Sequence, residues 1–154
     1  MILIDSDVYA IDIMYPRDLR YASNSDFLVS VADESKGTTI FNVLEICGKA
    51  SFVLPRDELL KLYRSFARDY AVVVLWPKTD AMKAADFLSQ RVVARNVAKM
   101  MNRMAFLDAL ILCVAEEHPE VDTFITWNAR HFQGKTSLLV QTPREYLEWL
   151  THLV

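Results

Sequence analysis

The chain has 154 residues, 53% hydrophobic and 24% charged, a balance that excludes a disordered polymer and fits one folded domain, 1–154. Its formal net charge of −3 and pI near 5.6 exclude an overall basic field for nucleic acid, leaving only a local basic stripe. The two cysteines, Cys47 and Cys113, lack zinc-ligand spacing and are read as buried free thiols of a reducing cytosol.

The N-terminus has no basic leader region and reaches Asp5 too soon for a signal peptide. The longest wholly apolar run, Tyr70 to Trp76, is too short for a membrane span. A cytoplasmic protein without a membrane partner is expected. In Ile2-Leu3-Ile4-Asp5-Ser6-Asp7-Val8 an apolar run predicts a strand buried on both faces, with Asp5 at its carboxyl end. Asp7 is the predicted N-cap of a helix over Val8 to Met14, which Pro16 ends. A polar stretch through Ser25 follows, then a helix from Asp26 to Glu34, broken by Gly37.

Thr38 to Ile40 reads as a short strand entering a helix over Phe41 to Ala50, whose spacing predicts burial of Phe41, Leu44 and Cys47. Pro55 suits the first turn of the next helix, with Leu59, Leu62, Tyr63 and Phe66 as its apolar stripe. Ala71 to Trp76, rich in valine and stopped by Pro77, is the clearest strand. A long helix from about Asp80 breaks near Asn102 to Met104, and another runs from Leu107 or Asp108 to Glu117. Strands over Val121 to Thr126 and Leu138 to Val140, with a short helix between them, precede a last helix, Pro143 to Leu150. This alternation predicts a three-layer α/β/α sandwich with a parallel central sheet.

Four polar residues interrupt apolar elements: Asp5, Glu45, Asp108 and, after the strand ending in Thr126, Asn128. Buried carboxylates are costly unless paired or bound to a cation. Converging acids without His or Cys point to Mg2+ or Mn2+. Ser6 and Thr126 are candidates to orient water or phosphate, or simply to cap turns. Arg91, Arg95, Lys99 and Arg103 recur every four residues, as a phosphate track or a solvated helix face. Arg130 and His131 are a second cationic pair beside the acids. Trp127 is a base-stacking candidate or core, and Met100, Met101 and Met104 are core filling or a partner surface.

The motifs Ile2 to Val8, Thr39 to Glu45, Leu107-Asp108-Ala109 and Thr126-Trp127-Asn128 through Phe132, in this order, resemble those of PIN domains, especially the VapC-type toxins. The resemblance spans nearly the whole chain. It implies a metal-dependent ribonuclease in an α/β/α sandwich, with Asp5, Glu45 and Asp108 at the acidic metal positions and Mg2+ or Mn2+ as cofactor. It also implies an RNA substrate, an antitoxin partner and a homodimer. Asn128 falls where many members carry a fourth acid, so one metal or two is open. Two other readings stand beside it: a PIN-like module that binds RNA or protein without cutting, and a haloacid-dehalogenase-like phosphatase using Asp5 as nucleophile. The second needs a late acidic pair, and Asp108 stands alone.

Overall fold

Ile2, Leu3 and Ile4 are all buried because the strand they form has helices packed on both sides. The computed structural model describes residues 1–152. This strand, β1 (Ile2–Ile4), is the middle of a five-stranded sheet with β2 (Lys36–Thr39), β3 (Val73–Leu75), β4 (Thr123–Ile125) and β5 (Leu139–Gln141). The spatial order is β3-β2-β1-β4-β5 and every pairing is parallel, so the expected α/β sandwich with a parallel sheet is found.

Alternation along the strands divides the core. Ile2, Ile4 and Ile125 meet α1 (Ser6–Met14), α2 (Tyr21–Ser30), α3 (Ile40–Ala50), α4 (Arg56–Asp69) and α9 (Pro143–Thr151). Leu3, Phe124 and Val140 meet α7 (Phe106–Ala115) and α8 (Ala129–Phe132) on the other face. The chain winds outward from β1 through β2 and β3, then returns to add β4 and β5 on the other side. The connections therefore diverge between the carboxyl ends of β1 and β4, the crevice where open α/β sheets hold ligands.

Several expectations are corrected. The helix after β1 starts at Ser6, and its N-cap is Asp5, not Asp7; Asp7 lies within the first turn. α2 begins at Tyr21, inside the stretch read as polar, because its buried face carries Asn24 as well as Phe27. α3 buries Ile40, Val43 and Ile46, while Leu44 is exposed and Phe41 and Cys47 are half-buried. Ala71 to Trp76 shortens to β3, an edge strand with Val73 exposed, so its apolar run does not mark a central position.

The interior strand β2 instead reads Lys-Gly-Thr-Thr, all four residues buried. Gly37 is required by close approach, since a Cβ there would lie 2.9 Å from Met1 Sδ and 3.3 Å from the Val73 carbonyl oxygen. The long helix is segmented into α5 (Ala84–Asp86), a π-helical stretch (Phe87–Ala94) and α6 (Arg95–Met101). It ends in a turn where Arg103 adopts a φ of 58°, at the predicted break. Met104 is buried core, whereas Met101 is largely exposed. Cys113 is buried and both thiols are free. Among the described residues no helix is long and apolar enough to cross a membrane.

Tyr9 is fully buried, edge-on to Phe66 at 4.9 Å and Tyr70 at 4.8 Å, and its hydroxyl has no partner among the described residues. Removing an unsatisfied buried group relieves a desolvation cost, so Tyr9→Phe is expected to be neutral or to stabilise by up to about 1 kcal/mol. Urea unfolding checks this, and a loss above about 1 kcal/mol would mean the hydroxyl has a partner.

Candidate active site

Asp5 leaves β1 at the divergence point, tied to β4 by its backbone N–H donating to the Ile125 carbonyl at 2.9 Å. Its carboxylate is gripped through Oδ1, which accepts from the Ser6 backbone N–H at 2.7 Å and Asn42 Nδ2 at 2.8 Å. Asn42 is available because it completes a capping box with Thr39 at the start of α3, Thr39 Oγ1 accepting its backbone N–H at 3.2 Å. This fully buried residue escaped the sequence reading. Its signal was present, a Thr-x-x-Asn box directly after a strand.

One helical turn on, α3 presents Glu45. The Ser6 hydroxyl donates to Glu45 Oε2 at 2.6 Å and lies 3.4 Å from Asp5 Oδ1, so it bridges the two acids. Glu45 Oε1 also pairs with Lys49 at 2.8 Å. Asp108, in the first turn of α7, lies 3.0 Å from His131 Nε2 on α8, without the alignment of a hydrogen bond. Burial raises the Asp108 carboxyl; His131 opposes that shift and the Glu45 charge adds to it. Burial also holds Asp5 well above the usual carboxylate range, with Asp7 and Glu45 adding to the rise and hydrogen bonds lowering it. Glu45 is joined to Asp5 through the Ser6 hydroxyl and its charge is felt at Asp108, so the three predicted acids lie near one another.

The loop after β4 is held by two side chains. Asp7 Oδ2 accepts from Thr126 Oγ1 at 3.1 Å and from the Trp127 backbone N–H at 2.9 Å. Trp127 Nε1 donates to Asn24 Oδ1 at 2.8 Å, and the ring packs against the core with the Arg20 guanidinium 5.7 Å from its centroid. Trp127 is thus a core residue with a polar tether. Asn24 was missed because a lone Asn in a polar stretch carries no distinguishing pattern.

Other predicted residues go elsewhere. Asn128 is exposed, makes no side-chain hydrogen bond to the acids among the described residues, and lines a separate hollow with Arg130, Gln133, Thr142 and Glu145. Its backbone N–H donates to Thr126 Oγ1 at 3.1 Å. Arg91 pairs with Asp80 at 2.6 Å and Glu117 at 3.3 Å; Arg95 also pairs with Glu117, and Lys99 with Glu116 at 2.8 Å. Arg91, Arg95 and Lys99 are drawn into ion pairs between the π-helical–α6 segment and the end of α7, because Glu117 is nearly buried and needs counter-charge, while Arg103 makes no ion pair among the described residues. These cations do not form an unpaired phosphate track.

Among the described residues no three His, Cys, Asp or Glu side chains stand ready to coordinate one ion. Lys49 and His131 instead engage Glu45 and Asp108. The donor chemistry of Asp5, Glu45 and Asp108 nevertheless fits a hard divalent cation, being oxygen only and mutually repulsive.

The fold is shared with solved structures. One is a chain of VapBC-1 from nontypeable Haemophilus influenzae, with TM-score 0.63, 16% identity, and 94% of this chain and 99% of that chain covered. Another belongs to FitAB bound to an IR36 DNA fragment, with TM-score 0.60, 19% identity and coverage of 93% and 95%. A third is from VapBC2 of Rickettsia felis bound to a DNA fragment from its promoter, with TM-score 0.60, 14% identity and coverage of 92% and 98%. No protein-family model and no curated protein sequence matches the chain.

Proposed function

We propose that this protein is a metal-dependent ribonuclease that hydrolyses RNA phosphodiester bonds and serves as the toxin of a toxin–antitoxin pair. The observation that carries this reading is the Ser6 hydroxyl bridging Asp5 and Glu45 beside the divergence of β1 and β4, with Asp108 near enough to feel the Glu45 charge. Mg2+ or Mn2+ held by those three acids would lower the pKa of a bound water and neutralise charge on the reacting phosphate. Asn42 and the Ser6 backbone fix the orientation of Asp5, and the Ser6 hydroxyl sets the distance of Glu45. Lys49 pairs with Glu45, and the His131 ring lies beside Asp108. Arg130, exposed on α8, remains a candidate to meet the RNA backbone. The fold likeness to chains of VapBC and FitAB complexes supports an antitoxin partner; a homodimer is part of the same proposal.

The test is incubation of the purified full chain with RNA and Mn2+. Cleavage that stops with chelator is expected, and intact RNA at every Mn2+ concentration would overturn the nuclease. A second reading, a module that binds RNA or protein without cutting, is favoured by the uncharged Asn128 and by the Lys49 ammonium already engaging Glu45. It predicts bound, uncleaved RNA in the same assay.

A further inference from the structure

We propose that Asp7, rather than Asn128, supplies the fourth acid of the pocket and helps to hold its divalent cation; this rests on the metal-dependent reading above. Asn128 carries no charge and its side chain is exposed beside a different hollow. Asp7 lies two residues after Asp5 in the first turn of α1, and both its hydrogen bonds come from the loop that carries Asn128. The acid has in effect moved across that loop, from the end of β4 to the start of α1.

The two oxygens of Asp7 differ in a way that marks a ligand. Oδ2 takes two donors, Thr126 Oγ1 and the Trp127 N–H, and is fixed by them. Oδ1 is buried with no hydrogen-bond partner among the described residues, and it is the only carboxylate oxygen in that condition. Asp5 has Ser6 and Asn42, Glu45 has Ser6 and Lys49, and Asp108 has His131. Asp7 makes no such ion pair among the described residues. A buried carboxylate oxygen left without a donor is expensive, and a cation is the natural partner beside further carboxylates.

Mn2+ titrations of the full chain, followed by calorimetry and by the electron paramagnetic resonance signal of free Mn2+, test the assignment. Asp7→Asn keeps an oxygen for Thr126 and Trp127 but loses the charge; it is expected to weaken Mn2+ binding at least about tenfold, as Asp5→Asn does. Asn128→Ala is expected to stay within about twofold of wild type. Circular dichroism checks folding, and Asp7→Ser replaces the amide variant if that does not fold. Unchanged Mn2+ affinity in Asp7→Asn, with Asp5→Asn defective, overturns the role of Asp7 and leaves the ribonuclease reading intact. Wild-type protein that binds no Mn2+ overturns both proposals.

Discussion

Replacing Asp5 with Asn is expected to abolish RNA cleavage, by about a thousandfold or roughly 4 kcal/mol of transition-state stabilisation, and at the same time to make the metal-free protein harder to unfold. The two effects share one cause. Asp5 is buried, and Asp7 and Glu45 add negative charge, so its folded-state pKa lies well above the ordinary carboxyl value of 3.8. A raised folded-state pKa means that the group's contribution to stability is fully present below about pH 4 and is lost as pH rises through the folded-state value. At neutral pH the metal-free protein therefore bears the cost of either ionising or protonating Asp5 in the fold, whereas an amide bears neither. Its oxygen still accepts from the Ser6 N–H and Asn42. Asp5→Asn should then exceed wild type by about 1 kcal/mol near pH 7, with about 2–4 °C in Tm for each kcal/mol at this chain length. The difference should shrink toward zero as the pH falls to about 4. Urea midpoints of the two proteins across that range, in chelator, measure it. A variant less stable than wild type at neutral pH would mean that hydrogen bonding outweighs repulsion at Asp5. Undiminished cleavage by that variant, with contaminating nuclease excluded, would remove Asp5 from the chemistry.

The same opposition between local appearance and tertiary partner decides what could be read from the residues alone. β1 was legible because a strand covered on both faces has to be apolar at every position, as Ile2, Leu3 and Ile4 are. The acids at 5, 45 and 108 were legible because each interrupts an apolar element, where an ionised group needs a partner. β2 was only partly legible. Lys36 and Gly37 look like a loop until the partners supplied by α2, Met1 and β3 are in place. The basic stripe had the right helical spacing, but spacing does not reveal Glu117, far along the chain, waiting to absorb Arg91 and Arg95. Asp7 was misassigned as a cap because Asp5 and Asp7 both suit an N-cap, and only the fold places Thr126 and Trp127 opposite the second. Asn42 and Asn24 were overlooked for a related reason: a buried amide is specified by its partners on other elements, which no local pattern contains.

Lys36→Met is expected to cost about 2–3 kcal/mol, although methionine is the more apolar residue and the site is buried. Lys36 opens the interior strand β2, and its ammonium turns back to the end of α2, donating to the carbonyls of Val31 at 2.9 Å and Ala32 at 2.5 Å. Those carbonyls lie at the C-terminal end of α2, where the helix dipole also favours a cation, and the Val31 carbonyl accepts the Glu34 N–H at 3.1 Å as well. Methionine fills similar space but donates nothing, so the Val31 carbonyl loses its charged donor inside the core. The damage should be confined to stability. None of the hydrogen bonds of Asn42, Glu45 and Asp5 involves Lys36, and β2 reaches them only through Thr39 at its far end. Below its lowered melting temperature the variant should therefore bind Mn2+ and cleave RNA within about twofold of wild type, the usual independence of sites without shared partners. Denaturant midpoints and single-temperature activity measure the two quantities separately. A variant as stable as wild type would show that the helix end is satisfied without Lys36. A folded variant with lost Mn2+ binding would show that the register of β2 is transmitted to the acids through α3.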